Sequence, residues 1–302
     1  MTSCGQDGGL DRSWVWIPPQ TARVGSDSHY PEEGPVREAS VSGFWMQRHQ
    51  VTNDQFAAFV SETGYVTVAE RPLDPNDYPG APPENLQPGS MAFCRTNGPV
   101  DLRRMDLWWR WTPGACWNHP RGPRSSLKNR GEHPVVHVGF DDAAAYADWA
   151  GHELPTEAEW EIAARGGRPH CTYTWGDEPE RTGQRLANFW HGEFPYLPDT
   201  GYGQTTPVGS FEANDYGLFD MAGNVWEWTV DWYAGSRTAE SCCAADSYDP
   251  EQPQFRIPRK VIKGGSFLCA DSYCQRYRPA ARRPQMVDTG MSHIGFRCIK
   301  RA

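Results

Sequence analysis

The sequence predicts an α+β protein, a single irregular domain low in regular secondary structure, and three observations predict it. Across 302 residues, 30 Gly and 26 Pro interrupt the chain, while 14 Trp, 12 Tyr and 12 Phe supply large rings that can fill a core between loops. Three segments carry helix start and stop signals. Beyond residue 165, short strand-like pieces such as RKVIKGGSF (259–267) alternate with loops. With 38% hydrophobic residues, a chain of this length buries a core without covalent staples.

The helices follow from their caps. VTNDQFAAFVSETG (51–64) offers Thr52 or Asn53 as N-cap and Gly64 as stop; FDDAAAYADWAG (140–151) offers Asp141 or Asp142 and Gly151. PTEAEWEIAARGG (155–167) has a T-x-x-E capping box, Thr156 with Glu159, and ends in paired glycines. Residues 1–12 read as a flexible leader and 13–302 as one domain, with no internal repeat. Between 70 and 135, RPLDPNDYPGAPPENLQPGS and WWRWTPGACWNHPRGPRS lack a sustained period of either kind. Such an excursion is either a surface loop pinned by tryptophans or the wall of a binding cleft.

Charge and composition exclude several classes. A formal charge of −9 without a lysine-rich run argues against a nucleic-acid partner. The start lacks the basic and apolar regions of a signal peptide, and no stretch approaches the ~20 apolar residues of a membrane span. The expected location is the cytoplasm. There thiols stay reduced, and nine cysteines cannot all pair, so a disulfide framework is disfavoured and Cys242 and Cys243 read as surface thiols.

The chemistry concentrates in GGSFLCADSYCQRYRPAAR (264–282). Continued as a strand, five steps of ~3.3 Å would set Cys269 and Cys274 about 16 Å apart on opposite faces. A turn through Ala270, Asp271 and Ser272 would bring them together, as a disulfide, as ligands of a soft ion such as Cu(I), or as idle thiols. Arg276, Arg278, Arg282 and Arg283 would favour thiolates if they face the site. In FDMAGNVWEW (219–228), Asp220 and Glu227 offer hard oxygens and Gly223 a turn, a weak calcium signal without the EF-hand pattern. H-E-x-x-H, G-x-S-x-G and G-x-x-x-x-G-K-[ST] are absent, which removes zinc-protease, serine-hydrolase and P-loop readings.

Taken together, residues 133–167, ANFWHGEFP (187–195), NDYGLFDMAGNVWEWTVDWY (214–233), the cysteine segment and HIGFRC (293–298) resemble the formylglycine-generating enzymes, or sulfatase-modifying factors. The resemblance implies a domain of that type, related to the C-type-lectin-like fold, which uses O2 to oxidise a cysteine in C-x-P-x-R of an unfolded sulfatase to Cα-formylglycine. It implies Cys269 and Cys274 as Cu(I) ligands with Ser266 and Tyr273 beside them. It further implies calcium at Asp220, Glu227 and the carbonyls of Gly223 and Val225, and a second calcium at Asn188, the Phe189 carbonyl and Tyr202, where a shortened loop leaves Asp199 as the nearest counterpart of the family's aspartate. Pro279 and Ala164 stand where eukaryotic relatives carry cysteines, leaving Cys298 unpaired, and IPPQTARVGSDS lacks the family's glycine turn. The competing readings are a catalytically silent peptide- or glycan-binding module, which has no need of both thiols, and an iron-dependent sulfoxide synthase, for whose extra helical domain the chain has no length.

Overall fold

The computed structural model describes residues 13–180, 183–235 and 244–302, so the leader and the Cys242–Cys243 pair lie outside the described residues. Thirteen short strands and three α-helices are distributed among them. The first sheet joins β1 (Trp14–Ile17), β4 (Phe44–Gln47) and β13 (Ile299–Arg301), the last strand antiparallel to β4. The hairpin β2 (Gln20–Val24) with β3 (Arg37–Val41) flanks it. The largest sheet has β10 (Arg259–Lys263) between β9 (Trp226–Trp232) and β11 (Arg282–Met286), with β12 (Ile294–Gly295) parallel to β9 at its edge.

The helices form where their caps are placed. Helix α1 (Asn53–Thr63) starts at Thr52, whose hydroxyl accepts from Gln55 N while Gln55 caps back, and stops at Gly64 in the left-handed region at φ 67°. Helix α3 (Glu157–Ala164) uses Thr156 and Glu159 as expected. Helix α2 (Phe140–Trp149) corrects its predicted cap: Gly139 is the N-cap, and Asp142 reaches back to accept from Gly139 N at 2.8 Å. Asp142 also accepts from Val68 N and Tyr65 Oη, and burial pushes its carboxyl up to about 6.

The excursion from 70 to 135 is not structureless. It folds into the hairpin β5 (Gly89–Phe93) with β6 (Trp109–Pro113) and several 3₁₀ turns. Gly89 faces the partner strand so closely that a Cβ would meet the Thr112 carbonyl at 2.7 Å. A further small hairpin joins β7 (Gly192–Glu193) to β8 (Leu197–Pro198).

Packing explains why so little regular structure suffices. Phe56 and Phe59 of α1 and Tyr146 of α2 meet Trp117, Trp228, Ile262 and Phe296 in one aromatic core, which also contains Cys269 and Cys274. Ring pairs such as Phe56–Trp117 and Tyr146–Phe296 sit edge to face at 5.3 Å, the arrangement the ring quadrupoles favour. Helix α3 is enclosed almost all round, and its inward acids are matched: Glu161 binds Arg165 at 2.8 Å and Lys263 at 3.1 Å, and Glu157 binds Arg282 at 2.9 Å.

Candidate active site

Two glycines turn strand β10 into the site. Gly264 and Gly265 have φ of 92° and 72°, and a Cβ on Gly265 would lie 2.7 Å from the Arg276 carbonyl oxygen. Only glycine lets residues 276–277 return so close beneath the strand end. The segment then coils: Cys269 N donates to the Ser266 carbonyl at 2.9 Å, and Tyr273 N and Cys274 N both donate to the Ala270 carbonyl, at 2.8 and 2.6 Å. The turn through Ala270, Asp271 and Ser272 is the one the sequence allowed. It brings Cys269 Sγ and Cys274 Sγ to 3.5 Å, too far for a disulfide bond, and both cysteines are free.

The two thiols, 2% and 5% exposed, are electrostatically unequal. The hydrogen bond from Cys269 and the nearby Arg276 and Arg283 guanidiniums bring Cys274 down to about 6, whereas burial pushes Cys269 up. Of the pair, Cys274 is the one biased towards the thiolate. Of the four arginines, two face the site: Arg276 Nη1 lies 3.9 Å from Cys274 Sγ, and Arg283 lines the pocket. The other two serve the frame, Arg278 bound to Glu33 and Arg282 to Glu157.

Above the thiols is a small pocket walled by Trp108, Trp109, Phe194, Trp226 and Tyr273, with Ser266, Arg283 and His293 as its polar members. Tyr273 stacks on Phe194 at 5.0 Å and meets Trp108 edge-on at 5.7 Å, so it forms part of the wall. Ser266 is fully buried and its hydroxyl oxygen accepts from Leu268 N at 3.2 Å. Sequence reasoning missed His293 and the Trp108–Trp109 pair. His293 packs on Trp109 at 4.7 Å, burial and Arg283 hold its pKa well below the usual range, and its buried Nδ1 has no hydrogen-bond partner. The signal available was the WWRW run inside the excursion.

The donor set fits a soft, low-coordinate ion. Two adjacent sulfurs open into a small aromatic-walled pocket, and among the described residues no group of three or more His, Cys, Asp or Glu converges as a structural zinc site requires.

The residues implied as calcium ligands lie on segments that meet at the Asn188–Gly223 bridge. Glu227 is fully occupied: Arg297 Nε and Nη2 donate to it at 2.7 and 2.8 Å, Trp160 Nε1 at 2.7 Å and Gln50 Nε2 at 2.9 Å. Arg297 thus supplies the positive charge at this turn. Asp220 sits at φ 54° and accepts from Gly209 N at 2.7 Å, with burial raising its carboxyl to about 6; Gly223 lies against the Asn188 backbone. Val225 is buried in the same turn. Asn188 donates to the Gln204 carbonyl and to Asn224 Oδ1, yet its own buried Oδ1 is without a partner. Phe189 stacks on Tyr277 at 4.1 Å, and His191 bridges from Phe189 to Tyr202. Asp199 N donates to the His191 carbonyl.

Residues 7–302 match the family profile described as Sulfatase-modifying factor enzyme 1-like domain. The chain is similar to the formylglycine-generating enzyme of Mycobacterium tuberculosis, 54% identical with 94% of this chain and 96% of that protein covered. It is 46% identical to the formylglycine-generating enzyme of Thermomonospora curvata, with 96% and 93% covered. Among solved structures, PvdO from Pseudomonas aeruginosa superimposes with a TM-score of 0.61 at 22% identity, over 96% of this chain and 94% of that one, which shows a shared fold.

Proposed function

The chain belongs to the sulfatase-modifying factor family, and from that premise we propose that it converts a cysteine of a sulfatase into Cα-formylglycine and so activates the sulfatase. The observation that carries the reading is the buried, reduced pair Cys269–Cys274 at the floor of an aromatic-walled pocket. A silent binding module would have no use for a thiolate held there by Cys269 and Arg276.

The residues divide the work. Cys274 and Cys269 are the ligands we assign to copper(I), which when bound would supply an open coordination position for the substrate thiolate and electron transfer to O2. Trp108, Phe194 and Tyr273 exclude bulk water from the substrate's Cβ. Ser266 presents a hydroxyl to the pocket, and the neutral imidazole of His293, with Nδ1 unpaired, offers a hydrogen-bond partner to the incoming chain. In the net reaction the cysteine Cβ–S unit gives two electrons and two protons to O2. Water then replaces sulfur, leaving the aldehyde and releasing hydrogen sulfide.

We further assign the target motif as C-x-P-x-R and the setting as a reducing, cytoplasmic one. The six described cysteines are all free, which supports that setting, and among the described residues no helix is long and apolar enough to cross a membrane. The decisive experiment is mass spectrometry of a C-x-P-x-R peptide after aerobic incubation with Cu(I)-loaded and with metal-stripped protein. Copper-dependent loss of the thiol and gain of an aldehyde is expected; a peptide left unchanged by the loaded protein would overturn the reading.

Calcium is assigned to Asn188, whose buried, unpaired Oδ1 suits an oxygen-seeking cation, with Phe189 and Tyr202 contributing from the same loop. At the Asp220 turn Arg297 already pairs with Glu227. Chelation should lower the melting temperature of the parent but not of Asn188→Ala, and an unchanged parent would remove the ion from this loop.

A further inference from the structure

Beside the thiol pocket lies a larger cavity of about 700 Å³ that the cysteine chemistry does not use. The two share a wall: Phe267 and Ser292 line the cavity, while their chain neighbours Ser266, Leu268 and His293 line the thiol pocket. Phe93 closes the boundary, its backbone N donating to Ser292 Oγ at 3.0 Å. An extended chain advances ~3.3 Å per residue, so a peptide with its cysteine at the thiols reaches the cavity within a few residues.

The far side of the cavity is basic. Arg95, Arg121 and Arg130 line it, contributed by the proline-rich excursion, in a protein whose formal charge is −9. None of the three belongs to an ion pair among the described residues, whereas Arg103, Arg104, Arg165, Arg168, Arg276 and Arg278 are each matched to a carboxylate. Arg130 donates to the neutral Gln204 Oε1 at 2.9 Å, and its pKa is lowered by burial and by the neighbouring Arg121 guanidinium. Three guanidiniums lining one cavity set up a positive potential that an anionic group would meet favourably.

The geometry points to this cavity as a subsite for an acidic side chain of the substrate, on the N-terminal side of the modified cysteine. The side follows from charge: the arginine of C-x-P-x-R, downstream of the cysteine, would be repelled by three unpaired guanidiniums, so the upstream segment takes the cavity. A carboxylate there accepts from Arg121 and Arg130 together, the bidentate geometry guanidiniums favour. The inference rests on the sulfatase-modifying reading for the identity of the peptide, but the site can be tested without turnover.

The test is fluorescence anisotropy of labelled C-x-P-x-R peptides with the cysteine replaced by serine, carrying Asp, Ala or Lys at the two upstream positions. The parent should bind the Asp peptide about tenfold tighter than the Ala peptide at low salt, and the gap should shrink at high salt. Arg121→Gln with Arg130→Gln should close the gap, and Arg121→Glu, an exposed position, should shift preference towards the Lys peptide. Equal affinity of the parent for Asp and Ala peptides, or a gap that survives both arginine substitutions, would overturn the subsite. Absence of aldehyde in the conversion assay would count against the enzyme reading alone.

Discussion

Cys269→Ser and Cys274→Ser proteins should be folded and inert. Each substitution replaces one sulfur by an oxygen of similar size in a turn whose shape is set by backbone bonds to the Ser266 and Ala270 carbonyls and by the Gly264–Gly265 strand end. The melting temperature should move by a few degrees at most. Conversion of the C-x-P-x-R peptide should fall by roughly a thousandfold or more, the scale seen when one member of a catalytic unit is removed. Turnover within tenfold of the parent in either variant would sink the bis-thiolate assignment. The same pair predicts a pH response in metal-free protein. The hydrogen bond from Cys269 and the Arg276 guanidinium hold Cys274 down to about 6, so the stability its anion contributes is full above the ordinary thiol value and is lost as pH falls from there through about 6. The rate of alkylation of Cys274 against pH should therefore inflect near 6, and Arg276→Gln should move the inflection up; an inflection at the ordinary thiol value in the parent would remove the assigned thiolate.

How far the sequence disclosed this site depends on whether the causes were local. Thr52, Thr156 and Gly64 were legible because a cap acts within one turn, and Cys269 and Cys274 were legible because Ala270, Asp271 and Ser272 tolerate a tight backbone. Gly139 was not legible as a cap, since two aspartates nearby are better intrinsic candidates and Asp142 caps from inside the helix instead. The β5–β6 hairpin hid behind prolines, because its strands are short and residues 94–108 separate them. Non-local matches were invisible altogether: nothing in GNVWEW names Arg297 as the partner of Glu227, and nothing in HPRGPRS shows that Arg121 and Arg130 will line one cavity. The resemblance located the catalytic segment but did not disclose that the Arg297 guanidinium pairs with Glu227.

That guanidinium carries the largest expected stability effect outside the thiols. Glu227 lies on β9 opposite Lys263, the last residue of β10 before the Gly264–Gly265 turn, and Trp226 beside it lines the thiol pocket. Both members of the Arg297–Glu227 pair are at most 1% exposed, and Arg297 also donates to the Phe219 carbonyl at 2.9 Å, so it ties the C-terminal segment to the strand that carries the site. Arg297→Met leaves a buried carboxylate with only Gln50 and Trp160 as donors, and unfolding in urea should show a loss of about 3–5 kcal/mol. Glu227→Gln added to Arg297→Met should recover a substantial part of that loss, because the amide oxygen still accepts from the neutral donors and no buried charge remains. The exposed Arg104–Asp106 pair is the control, where Arg104→Met should leave the urea midpoint essentially unchanged. If Arg297→Met cost no more than this surface substitution, the clamp would not be what holds β9 and β10 in place, and the position of the thiols would have to be secured by the aromatic core alone.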